Sequence, residues 1–264
     1  MAVYERIWRR YGGQLTPLAW RWLVVTRYAL ADVFASRLFT AFYAVCFLPS
    51  VVGLFFIYLS HNVSLLQQLG MPQDLMNVLT SKFFMVLFSW QAIPAFLVTV
   101  IVSPSLVAAD LANNALPLYL ARPINRREYV IGKMAVLGIL LSPMTWFMGG
   151  TIFSLQAYLE GGTWWIDNYR IGLAYLIGHL TWILVISVLT LAISAWVRFK
   201  PAARGALFAI IFILAGFAQA VNGVTRSSWG DLIHLVRAIN SVVMSLFGAP
   251  TPSGLPVSLN WLTL

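Results

Sequence analysis

The chain has 264 residues, of which 60% are apolar and 9% charged, with a net charge of +9 and a mean hydropathy of +0.82. A soluble domain carries about 25% charged residues, so this chain has too few to cover a solvated surface and reads as an all-α polytopic membrane protein. Nucleic acid is excluded as a partner by the placement of the charges, which flank apolar runs where anionic lipid accounts for them.

Residues 1–17, MAVYERIWRRYGGQLTP, hold basic residues but no apolar run before Pro17, so no cleaved signal peptide is visible. In 16–37 the charged residues Arg21, Arg27, Asp32 and Arg37 recur among Trp20, Trp22, Leu23, Val24 and Tyr28. That mixture predicts a helix lying at the membrane surface, capped by Thr16 with Pro17 as its first residue. The first span is expected at 38–59, close to the ~20 apolar residues a crossing needs, with a kink at Pro49. A polar loop fills 60–82, and a second span follows at 83–107, interrupted by Pro94 and Pro104.

The longest polar interruption comes next, AADLANNALPLYLARPINRREYVIGK over 108–133. The third span covers 134–155, where Gly149-Gly150 would let a neighbouring helix approach closely. The fourth covers 171–197 after a tryptophan-bearing loop at 156–170, and the fifth covers 205–221 after the basic turn RFKPAAR. In 222–256 the apolar piece 238–247 is too short to cross and reads as interfacial or re-entrant. The closing VSLNWLTL is also too short, and a sixth span beyond it is expected.

Charge orients the chain. Five spans place Arg6, Arg9, Arg10, Arg21, Arg27, Arg37, Arg122, Arg126, Arg127, Lys133, Arg198, Lys200 and Arg204 on one side. The other side receives Lys82, Arg170, Arg226 and Arg237, and the acidic residues divide evenly. The positive-inside rule makes the first side, with the N-terminus and 108–133, cytoplasmic. The localisation expected is a plasma (inner) membrane, crossed several times.

Catalytic chemistry is hard to find. His61, His179 and His234 stand far apart, with no carboxylate or cysteine at ligand spacing. The lone Cys46 lies in an apolar run and reads as a small lipid- or core-facing residue. Gly132-Lys133 is followed by Met134, and no glycine stands five positions before Gly132, so a phosphate-binding loop is excluded. The chain is therefore expected not to be an enzyme in its own right. His179 falls inside a span, where an ionisable group is a functional candidate by default, although a hydrogen bond to a neighbouring helix also accounts for it. His179 and His234 are the pathway or gate candidates. The spans hold no other charge at the bilayer centre, so energy for transport would enter from outside the membrane domain.

The run from Asp110 through LANNALPLYLARPINRREYVIGK resembles a signature of type-2 ATP-binding-cassette transporter permeases, with an acidic residue after the second span, LYLARPI, an arginine, Glu128-Tyr129 and Gly132-Lys133. Ser36-Arg37-Leu38-Phe39 at the entry to the first span is similar to the same family. The resemblance implies a single permease domain of six membrane helices over 1–264, with an amphipathic N-terminal elbow and an external re-entrant segment that closes the pathway. It implies that 110–121 is a coupling helix docked on a separate ATPase subunit, which binds ATP and magnesium while this chain binds no cofactor. The docking residues expected are Asp110, Leu111, Leu116, Leu118, Tyr119, Leu120, Arg122, Arg126, Arg127 and Glu128. Read from the residues alone, the leucines are apolar anchors, Asn113-Asn114 suits a helix end, and Asn125 with Glu128 forms a capping box. The partners implied are that ATPase, a second permease copy or a related one, and lipid. The competing reading is a non-transporting scaffold or assembly subunit of a larger membrane complex.

Overall fold

The computed structural model describes residues 17, 20–62, 81–120, 124–197 and 199–248, with the backbone alone for Leu118 and Leu120. Among them there is no strand, and five helical stretches are long and apolar enough to cross a membrane: Arg37–Ser60, Ser81–Ala112, Arg126–Glu160, Tyr169–Trp196 and Lys200–Thr225.

The helix expected at the membrane surface, α1, spans Arg21–Phe34, so it starts later than Pro17, whose carbonyl instead accepts the Trp20 N–H at 3.0 Å in a turn. Ser36 then caps α2 (Arg37–Val45) by accepting the Phe39 N–H at 3.3 Å. The first span breaks rather than kinks. Pro49 has no N–H, and its ring would crowd the carbonyl of Val45. So α2 ends at Cys46, and α3 (Leu48–Ser60) begins with the proline in its first turn, where it is tolerated. In the second span α4 (Ser81–Leu106) runs unbroken through Pro94 and Pro104. Two short helices, α5 (Ala108–Ala112) and α6 (Leu116–Leu120), lead on towards the third span.

The third span is α7 (Arg126–Ser142), a π-helical turn (Pro143–Phe147) and α8 (Met148–Glu160). Pro143 disrupts the regular ladder there, and the Thr145 hydroxyl donates to the Leu141 carbonyl at 2.7 Å. The short α9 (Trp164–Asp167) precedes α10 (Tyr169–Trp196), the central helix, which packs on α4, α7 and α8. Gly149 meets Tyr175 of α10 so closely that a Cβ at position 149 would overlap the ring, whereas Gly150 faces open space. The close approach expected of the glycine pair therefore belongs to Gly149.

The fifth span, α11 (Lys200–Thr225), is peripheral, with only Ala203, Leu207 and Ala218 buried. A 3₁₀ turn (Trp229–Leu232) doubles back onto it, and the amphipathic α12 (Leu235–Leu246) then lies against α10. The core joins Ile57, Phe84, Phe88, Val136, Leu140 and Ile183 across the first four spans. The sixth span and the closing VSLNWLTL lie outside the described residues, as do most of the 60–82 loop, Thr16 and Arg198.

Candidate docking site

Two ends of the bundle can be told apart by their contacts. At one, α5 and α6 form a knuckle between the second and third spans. The single helix expected over 110–121 is broken here. Asn114 adopts φ 50°, a left-handed conformation that asparagine tolerates. Pro117 has no N–H to continue a helix from Asn113, so the second piece begins anew at Leu116. The Ala115 N–H donates to the Asp110 carbonyl at 2.8 Å and closes the turn.

Asp110 anchors the knuckle from inside. Its Oδ2 accepts the Tyr129 hydroxyl at 2.7 Å and pairs with Lys133 Nζ at 2.8 Å. Tyr129 and Lys133 are one turn apart on α7, so a single helix face supplies both partners. The two charged side chains are only 15% and 6% exposed, so the pair is shielded and each charge depends on the other. The adjoining Gly132 receives α1. A Cβ there would stand 2.9 Å from the Trp22 carbonyl oxygen, and the Thr26 hydroxyl donates to the Gly132 carbonyl at 2.9 Å. Thus α1, α5 and α7 are joined within two residues of α7. Tyr119 extends the join outward, its ring 5.6 Å from that of Tyr129.

The expected docking residues divide. Asp110 faces this interior junction, and Leu111 packs half-buried against the core. Leu116 and Tyr119 are half-buried, and Arg126 and Arg127 are exposed. The Glu128 carboxylate accepts the Asn125 N–H at 2.9 Å in the capping box. The backbone places Leu118 and Leu120 on α6, and Arg122 lies outside the described residues. Among the described side chains of the knuckle, Ala112, Asn113, Asn114 and Pro117 are exposed.

A second polar cluster lies deeper. Gln91 on α4 donates through Nε2 to Ser50 Oγ of α3 at 2.8 Å, and its Oε1 accepts the Tyr175 hydroxyl of α10. All three residues are buried, so one amide ties three spans together. One turn from Tyr175, His179 is wholly buried with its ring 4.0 Å from that of Phe88. Its Nδ1 lies 3.1 Å from the Tyr175 carbonyl on its own helix, in place of the expected bond to a neighbouring one, and Nε2 has no partner among the described residues. His234 caps α12, its Nδ1 accepting the Arg237 N–H at 3.3 Å. Beside it, Asp231 pairs with Arg237 at 2.6 Å and accepts from Asn222 at 3.0 Å. Sequence reasoning passed over Gln91, although a lone amide within an apolar span is itself a signal.

Compared with models of known families, with curated proteins and with solved structures, the chain matches none.

Proposed function

We propose that this chain is a transmembrane permease subunit of an ATP-driven transporter of the type-2 ATP-binding-cassette class, working as an exporter. The knuckle 108–120 is the element that receives force from a separate ATPase subunit, and α1 is the elbow at the cytoplasmic surface of the inner membrane. One observation carries the reading: Asn113 and Asn114 are exposed at the turn of the knuckle while its base is pinned, through Asp110, to Tyr129 and Lys133 of the third span. Gly132 on the same helix is fastened to α1. A displacement of the knuckle is therefore passed to the second span, the third span and α1 together, rather than absorbed by a slack loop.

In this mechanism ATP and magnesium act on the partner subunit, and two permease subunits, identical or related, complete the transporter. ATP-driven closure of the ATPase pair pushes on α5 and α6 and tilts the spans between inward- and outward-facing arrangements. The apolar interior suits a hydrophobic or amphipathic substrate. Co-purification of the tagged chain in mild detergent, with ATP hydrolysis assayed on the eluate, tests the proposal. A Walker-motif ATPase should come down with the chain and be lost when Leu118 and Tyr119 are changed to Asp. A stable complex without an ATPase would replace the transport reading with that of a scaffold.

A further inference from the structure

At the end of the bundle opposite the knuckle, α3 stops at Ser60 and α8 at Glu160, and two titratable side chains meet between them. His61 Nε2 lies 3.5 Å from Glu160 Oε1, and His61 Nδ1 lies 3.0 Å from the Ile57 carbonyl oxygen. The Ser60 hydroxyl, 3.3 Å from Nδ1, gives its hydrogen to the same Ile57 carbonyl at 2.7 Å, and a carbonyl can only accept, so Nδ1 carries a proton in this arrangement. A neutral imidazole has one N–H, which leaves Nε2 presenting a bare lone pair to a carboxylate. Two acceptors facing each other repel. The contact becomes attractive when one more proton is bound, either on Nε2 as imidazolium or on the carboxyl group.

Gln156 prepares the carboxylate for that contact. It is wholly buried, and its Nε2 donates to the same Glu160 Oε1 at 3.2 Å from one turn earlier on α8. The remaining titratable side chains at this end of the elements packed here are Tyr58 on α3, Lys82 on α4, Tyr158 on α8, Asp167 on α9, and Tyr169 and Arg170 on α10. Among the described residues none of these side chains bonds to or pairs with His61 or Glu160. Among the described residues the proton dependence therefore rests on the His61–Glu160 couple.

The geometry points to a proton-dependent clasp in which His61 and Glu160 tie the ends of the first and third spans together in acid and release them as pH rises. The sign follows from linkage: the closed contact binds one proton more than the open one, so its stabilisation is present on the acid side and is lost on the alkaline side. An unperturbed imidazole changes its charge between about pH 5 and 8, which sets the range to explore. The clasp adjusts packing that already exists, because Gly53 lets α3 lie against Leu87 and Ile152, where a Cβ would stand 3.0 and 3.3 Å from their nearest methyl carbons. It stands whether or not the permease reading holds.

Nitroxide labels on the full chain, at Asn62→Cys and Tyr158→Cys in a Cys46→Ser background, would report the separation of the two ends in lipid nanodiscs. Pulsed electron resonance at about pH 5.5 and about pH 8 should give a short, narrow distance in acid and a longer, broader one in alkali. His61→Gln and Glu160→Gln should abolish the response, and His61→Lys, a cation across this range, should hold the short distance at both values. Identical distributions at the two pH values in the parent chain would overturn the inference, as would a response that survives His61→Gln. The parent chain decides by itself, so a variant that fails to fold does not obscure the result.

Discussion

Lys133 is 5% exposed, and its partner carboxylate stands 2.8 Å away on another helix. Removing one member of a shielded pair leaves the other charge uncompensated, which costs about 3–5 kcal/mol. Asp110→Asn should therefore lower the thermal midpoint of the detergent-solubilised chain sharply. Combining it with Lys133→Met should recover most of the loss, because the orphaned cation is then gone as well. Gln91 poses the same question without charge. Gln91→Leu should destabilise the chain by about 1–3 kcal/mol, since it leaves the buried Tyr175 hydroxyl without its acceptor, and Ser50→Ala by less. Denaturant unfolding followed by tryptophan fluorescence would rank the variants. The polar residues were visible in the sequence as types, but their pairing was not. Asp110 and Lys133 are 23 positions apart, and only the reversal of the chain between two helices brings them together.

At the scale of elements, identical residues behave differently according to what surrounds them. Pro49 separates α2 from α3, whereas Pro94 and Pro104 sit within a continuous α4. Composition alone predicts a kink at each. Gly149 and Gly150 form a sharper contrast. Gly149→Leu should force the third span away from α10 and lower the thermal midpoint of the solubilised chain, while Gly150→Leu, facing open space, should change it little. Gly230 is constrained in the same way at the 3₁₀ turn. Its N–H donates to Asn222 Oδ1 at 2.7 Å, and a Cβ there would collide with the Ala218 carbonyl. Gly230→Ala should detach the turn from α11, and hydrogen exchange across 235–246 should rise relative to the core of α10.

At the scale of the molecule, the helical stretches follow the apolar runs in number and order. The positive-inside rule predicts that a cysteine at Arg127 is shielded from an impermeant maleimide in intact cells, while one at Thr163 is labelled. The opposite labelling pattern would reverse the orientation and move the knuckle away from any cytoplasmic ATPase.

What the amino-acid sequence determined by itself was the all-helical character, five apolar runs, the polar segment between the second and third of them, and the capping box at Asn125 and Glu128. These are local properties, set by side-chain polarity over a window about as long as the bilayer is thick and by residues three positions apart. Only the tertiary structure decided that the segment at 108–120 is a broken knuckle, that Asp110 turns inward to Lys133, and that Gln91 joins three spans. It also brought His61 to Glu160. Each of these depends on which helix lies beside which and at what rotation. Within an apolar span nearly every face is equally hydrophobic, so periodicity carries little information about rotation, and the packing of one helix on another supplies it.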